Sequence, residues 1–350
     1  MGFWGMATEA GTETLQSQIV IAGRMGGPTG LLDDIANALE SLGHQVNSFP
    51  DADVLYRNIA ALRGTDVLVA TPRFRCSRQL LASAPCLRGV VSPVTGIEGI
   101  DLSAATDLGV IVANGHTREN SESLAEATIL LVLAALYDLH ASEAILRHNL
   151  ARPAQPTARM LRGKTIGMIG FGEIARAMVV RLSGWDVRML VCARSVHTDA
   201  PGNVTWVGID ELLRRSDVVC VLASLNAETE NLLNAERLRL LKPGAVLVNT
   251  ARGAIIDEVA LCQIAGERPD LLLALDTFTT EPLPSDSPLR SLPNAILTPH
   301  MVGHTQESIA AVPATAVENV RRILAGDLPL HTCNPDVVAR WRSRWHRERT

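Results

Sequence analysis

Aromatic residues are scarce in this 350-residue chain, at 3%, although apolar residues as a whole make up 47%. A core can therefore be large, but it must be built from Val, Leu, Ile and Ala. No stretch reaches the roughly 18 apolar residues that a membrane-crossing helix needs. The nearest approach, Ala127–Leu136, is about half that length and reads as a buried helix. Residues 1–17 lack a basic segment followed by an apolar one, so no signal peptide is expected. Positive charge is not in excess: the net charge is −5, which argues against a general binder of nucleic acid or of a membrane surface. The six cysteines (76, 86, 192, 220, 262 and 333) show neither CxxC pairing nor metal-ligand spacing. Cys192 and Cys220 sit inside apolar runs, MLVCA and VVCVL. Free cysteines in a reducing cytoplasm, with no metal, are the expectation. Internal repeats and low-complexity segments are absent as well.

What is present is an alternation of short apolar runs with amphipathic ones. The runs Gln18–Ala22, Thr65–Ala70, Leu87–Ser92 and Val110–Ala113 predict strands, with helices at Gly30–Leu42 and after Ile97–Ala105. Alternation of this kind implies a parallel sheet. Residues 120–150 predict one long helix, with Ser123 and Glu126 as a capping box. The loop RPAQPT (152–157) precedes a second alternating region. Its strands are expected at Lys164–Ile169, Val187–Cys192, Val218–Leu222, Ala245–Thr250, Leu271–Asp276 and Ala295–Thr298. Its helices are expected at Glu173–Ser183, Ile209–Ser216 and Asn234–Leu241. A last long helix, Gln306–Ala325, ends at Gly326. The tail carries Trp341 and Trp345 one helical turn apart, which predicts an amphipathic end helix. The architecture is α/β, with two Rossmann-like doubly wound domains. A discontinuous substrate domain takes residues 18–120 and 305–335, a dinucleotide-binding domain takes 121–304, and 1–17 and 336–350 are terminal extensions.

Between the strand ending at Ile169 and the helix from Glu173 stands the turn Gly170-Phe171-Gly172-Glu173-Ile174-Ala175. In that context its first glycine serves the tight turn. Gly172 lets backbone approach a pyrophosphate, and Ala175 allows close helix–strand packing. The helix N-terminus then faces the phosphates. The following strand ends in Cys192-Ala193-Arg194-Ser195. An NAD-binding chain places Asp or Glu there to take the ribose 2′-hydroxyl. Alanine followed by arginine fits a 2′-phosphate instead, so NADP(H) is the preferred cofactor. An arginine stacked on the adenine alone would leave NAD(H) as the alternative.

Three further segments each follow a predicted strand: Arg252 in NTARG, Glu281 in DTFTTEP and His300 in LTPH. In an open parallel sheet, residues just past the strand ends gather at one edge, where ligands bind. Arginine offers a planar two-point donor to a carboxylate. Histidine exchanges a proton near neutrality. A neighbouring carboxylate favours the charged imidazole. Arg252, Glu281 and His300 are therefore the candidate catalytic set, and hydride transfer to a 2-oxo acid is the expected chemistry.

These residues lie in GKTIGMIGFGEIA, LNAETENLLNAERLRLLKPGAVLVNTARGAIIDEVAL, ALDTFTTEPLP and LPNAILTPHMVGHT. Over Gly163–Thr305 the chain resembles the D-isomer-specific 2-hydroxyacid dehydrogenases, of the glyoxylate and hydroxypyruvate reductase type. A weaker likeness covers Gly89–Glu126. The resemblance implies substrate binding by Arg252, a histidine partner in Glu281 and an acid/base in His300. It implies an anion nest at Val94, Thr95 and Gly96, with Asn120 as a further substrate residue. It implies cofactor contacts at Gly170, Gly172, Glu173, Ile174, Arg194, Ser195, Thr250, Ala251, Asp276 and Gly303, and a homodimer built through the cofactor domain. The site is expected in the cleft between the domains. The segment 120–126 is more like formate dehydrogenases, yet those pair their histidine with glutamine where this chain has Glu281. Oxidation of a small anion such as phosphite or formate is the alternative activity, and a dinucleotide-sensing corepressor-like protein the alternative of another class. His116, Arg118 and His304 are additional polar groups whose role the sequence leaves open. They would suit an acidic substrate, or else face solvent.

Overall fold

The computed structural model describes residues 16–24, 30–196, 199–201 and 204–346. Most of the expected N-terminal extension and the last four residues lie outside these. The chain divides into two compact units, Met1–Thr117 with Ala310–Thr350, and Arg118–Ile309.

The first unit holds a sheet of five parallel strands: β1 (Gln18–Ala22), β2 (Gln45–Phe49), β3 (Val67–Ala70), β4 (Gly89–Val91) and β5 (Ile111–Ala113), in the order β2-β1-β3-β4-β5. β3, β4 and β5 are buried along their whole length. Strands covered on both faces read as unbroken apolar runs, which is why the pattern revealed them. β2 was not expected. It is a half-exposed edge strand, QVNSF, with no apolar run to betray it. The final helix, Val338–His346, packs on this same unit. Trp341 is buried in its core and donates its indole N–H to the Arg88 carbonyl at 2.8 Å, and the Arg88 guanidinium lies over the Trp345 ring.

The second unit holds seven parallel strands: β6 (Thr165–Ile169), β7 (Arg188–Cys192), β8 (Val204–Trp206), β9 (Val218–Val221), β10 (Val246–Asn249), β11 (Leu272–Leu275) and β12 (Ala295–Leu297). Their order is β12-β11-β10-β9-β6-β7-β8, so the direction of winding reverses between β6 and β9. That reversal opens a crevice at the carboxyl ends of the strands. β8, an edge strand of three residues, was not read from the sequence.

The expected single helix over residues 120–150 is two. One runs Arg118–Leu136 and the other Leu139–Arg147, bent by 60°. The break lies at Asp138, in the left-handed region (φ 50°), whose carboxylate accepts from the Thr157 hydroxyl at 2.9 Å. The apolar pattern continues through both helices and so hid the break. Ser123 is not a cap either. It is buried within the first helix, and its hydroxyl donates to the Gly303 carbonyl at 2.7 Å. Glu126 pairs with Arg181 (3.0 Å). Among the described residues no single helix is long and apolar enough to cross a membrane. Burial pushes the thiols of Cys76 and Cys220 up to about 12, which makes them inert filler.

Candidate active site

Three loops leave the carboxyl ends of β10, β11 and β12. At the first, Asn249 is buried, and its amide turns the chain: Nδ2 donates to the Arg252 carbonyl (3.0 Å) and Oδ1 accepts from the Ala251 N–H (3.0 Å). Arg252 is half-buried, and its Nη1 donates to the Ala251 carbonyl at 2.8 Å. The next residue must be glycine. A Cβ on Gly253 would lie 2.0 Å from the Phe278 carbonyl carbon and 2.3 Å from the Thr279 nitrogen. The Arg252 loop and the β11 loop thus touch backbone to backbone.

The β11 loop carries the carboxylate. Glu281 Oε1 accepts the Phe278 N–H (3.1 Å), and Oε2 lies 2.8 Å from His300 Nδ1. Glu281 is thereby fastened to the segment that Gly253 presses against. A carboxylate only accepts, so the shared proton sits on Nδ1, and Nε2 is the nitrogen left for proton transfer. The His300 side chain is 38% exposed and that of Glu281 19%, a pair reached by solvent on one side.

His300 stands at φ 54°, the left-handed region that a histidine adopts at a cost of about 1 kcal/mol or more. Asp276, 1% exposed at the end of β11, holds it there. Its Oδ1 accepts from the Thr298 hydroxyl (2.7 Å), the Met301 N–H (3.1 Å) and the Val302 N–H (3.3 Å), bracketing the histidine. Asp276, expected as a cofactor contact, thus holds the His300 loop. The far side of the loop is tied at Gly303, whose carbonyl accepts from Ser123 (2.7 Å) and Ser308 (3.0 Å). His304 is at the surface, and its imidazole is held below the usual histidine range first by the protein crowded around it and then by positive charge on His300, with Asp276 opposing.

On the other side of the winding reversal, Gly170 adopts φ +99° and its N–H donates to the Cys192 carbonyl (2.8 Å). A Cβ there would lie 2.7 Å from the Ala223 nitrogen, so the turn after β6 needs glycine to pass the loop after β9. A Cβ on Gly172 would meet nothing within 4 Å. Gly172 therefore opens onto free space at the N-terminus of the helix Glu173–Arg181, whose first residues are Glu173 and Ile174. Tight turn, open face and helix N-terminus fit a dinucleotide pyrophosphate. Ala175 is fully buried against the sheet. Thr250 is turned inward, its hydroxyl 2.9 Å from that of Thr128. Arg194 and Ser195 are exposed at the end of β7, and Arg194 Nη2 lies 2.9 Å from Glu228 Oε2. Glu228 was not singled out from the sequence, because its loop meets β7 only in three dimensions.

The expected substrate loop belongs to the first unit and follows β4. Its carbonyls are committed internally: Val94 accepts from the Gly115 N–H (2.9 Å), Thr95 from the Asn114 amide (3.1 Å) and Gly96 from the Ser92 hydroxyl (2.6 Å). Asn120 and Arg118 lie in the first turn of the helix Arg118–Leu136. His116 packs edge-on against His331, ring centres 4.8 Å apart.

Residues 129–302 match the family model described as D-isomer specific 2-hydroxyacid dehydrogenase, NAD binding domain. A glyoxylate reductase of Thermofilum pendens is 34% identical over 298 residues, 83% of this chain and 86% of that protein. A D-3-phosphoglycerate dehydrogenase of Mycobacterium leprae is 32% identical over 313 residues, 87% of this chain, but the match spans only 58% of that longer protein. The crystal structure of a glyoxylate reductase from Paecilomyes thermophila superposes with a TM-score of 0.81 at 25% identity, covering 91% of this chain and 98% of that one. A relative above 30% identity matched along most of both chains, and the matched model of the second unit, agree with the glycine turn and the strand-end triad. The chain belongs to the D-isomer-specific 2-hydroxyacid dehydrogenases, oxidoreductases built on an NAD-binding domain.

Proposed function

We propose that the protein reduces a small 2-oxo acid, of the glyoxylate or hydroxypyruvate class, with NADPH. The observation that carries this reading is the Glu281–His300 pair at 2.8 Å, at the same sheet edge as Arg252 and the glycine turn. The bound dinucleotide supplies the hydride. Arg252 grips the substrate carboxylate and draws electron density toward the carbonyl oxygen. His300 gives that oxygen a proton from Nε2, and in the reverse direction takes it back. Glu281 accepts from Nδ1, which orients the ring and leaves Nε2 toward the substrate. Asp276, Ser123 and Gly253 keep the three loops in register. We assign the backbone N–H groups of the Val94–Gly96 segment to the substrate carboxylate as well, an anion nest in the sense of oriented amides. Arg194 takes the 2′-phosphate, with Ser195 beside it.

A panel of 2-oxo acids with NADPH, and of formate and phosphite with NADP, tests the reading. Turnover with glyoxylate or hydroxypyruvate supports it. Turnover with phosphite alone would make this an anion dehydrogenase, the hydride passing from phosphite to NADP. NADPH binding without turnover would turn the reading toward a dinucleotide sensor.

The same proposal includes a homodimer and a cytoplasmic setting. The helix Leu139–Arg147 buries none of its residues within the chain, and Leu130, Tyr137, Leu139 and Leu146 are half exposed or more. So short a helix needs packing to persist in water, and a second copy offers the same apolar face. Sedimentation of the native protein and of Leu146→Glu tests this; a native monomer would overturn it. All six cysteines are unpaired, which suits a reducing compartment; a reporter fusion found outside the cytoplasm would refute the setting.

A further inference from the structure

The strand that should choose the cofactor ends without an acid, yet the fold brings one to it from elsewhere. Glu228 lies in the loop after β9, and its Oε2 is 2.9 Å from Arg194 Nη2. That loop is well fixed. Asn226 Oδ1 accepts the N–H groups of Glu228 (2.9 Å) and Thr229 (3.2 Å), and the Thr229 hydroxyl accepts the Asn226 N–H (2.8 Å) and donates to the Ser224 carbonyl (2.7 Å). Its start, Ala223, is the segment that Gly170 packs against, so it belongs to the same strand edge as the pyrophosphate turn.

We propose that Glu228 is a specificity-determining residue, setting the balance between NADPH and NADH by competing with the 2′-phosphate for Arg194. The proposal rests on the reading of Arg194 as the phosphate contact. Both side chains are highly exposed, at 77% and 73%. An ion pair so open to water is weak and readily exchanged. With NADPH the phosphate must draw Arg194 away and then stand near a carboxylate. With NADH the arginine keeps its partner and no bare charge faces the ribose. Glu228 therefore narrows a preference that Arg194 alone would make wide, and it restores part of the negative charge that Ala193 removed from the strand end.

The test compares the full-length protein with Glu228→Gln, Arg194→Gln and the double variant. It measures kcat/KM for NADPH and NADH with glyoxylate, and the two dissociation constants by fluorescence without substrate. The expected result is a rise of about two- to fivefold in the NADPH/NADH ratio for Glu228→Gln, seen in binding as in turnover and largely lost in the Arg194→Gln background. If Glu228→Gln leaves the ratio unchanged while Arg194→Gln lowers it, Glu228 is a bystander and Arg194 keeps its role. If Arg194→Gln also leaves it unchanged, the reading of Arg194 fails and takes the proposal with it.

Discussion

At the ends of β10, β11 and β12 the working side chains are fixed by buried atoms. At the end of β7 the working side chain is held by an exposed one. Asp276, 1% exposed, places three contacts around His300, and Gly253 lets two loops meet in backbone contact. Arg194 meets Glu228 with both side chains mostly in solvent. Buried contacts made by atoms that cannot find substitutes are costly to disturb, whereas an exposed pair is worth about 1 kcal/mol or less. On the proposed reading, the chemistry is therefore built to resist change and the cofactor choice to accept it. Substitutions at the first edge should cost activity steeply, and those at the second should redirect it.

The steepest loss is expected at the proton donor. His300→Ala should lower kcat by about 10²–10⁴-fold, the usual contribution of a general acid, while NADPH titration by fluorescence shows unchanged affinity. An unaltered kcat would remove His300 from the mechanism. A smaller loss should follow Arg252→Lys, which keeps the charge but loses the planar two-point contact. The expectation is a fall of roughly 10- to 100-fold in kcat/KM for the 2-oxo acid, mostly through KM, in line with a lost charged hydrogen bond. Equal constants for the lysine variant would mean that Arg252 does not clamp the carboxylate. The mildest change is expected at β7. The native protein should favour NADPH by about tenfold, or about 1.4 kcal/mol, and Ala193→Asp with Arg194→Ile should invert the preference while turnover with NADH persists. Initial rates over a range of each cofactor decide this; a native preference for NADH would show that Arg194 points away from the ribose.

What could be read from the sequence follows the same division. β3, β9 and β10 are apolar on both faces and announce themselves, and the helix Gln306–Ala325 was placed to the residue. The meeting of Glu281 with His300 could be anticipated because each follows a strand, and a parallel sheet collects strand ends at one edge. Edge strands β2 and β8 were missed, since QVNSF and VTW break their apolar residues with polar ones and carry no continuous apolar run. The break at Asp138 was hidden by hydrophobicity that continues across it. Ser123 looked like a cap because its local spacing matched one, but its hydroxyl serves Gly303, 180 residues away. The demand for glycine at 253 and the meeting of Glu228 with Arg194 arise only when distant loops are brought together. No local pattern encodes them.

The central claim is that Arg252, Glu281 and His300 carry hydride transfer to a 2-oxo acid, and the direct measurement is NADPH oxidation by the native protein followed at 340 nm as glyoxylate or hydroxypyruvate is added. The account predicts substrate-dependent, saturable oxidation with at least one of the two. NADPH held tightly, with neither acid oxidising it, would contradict it.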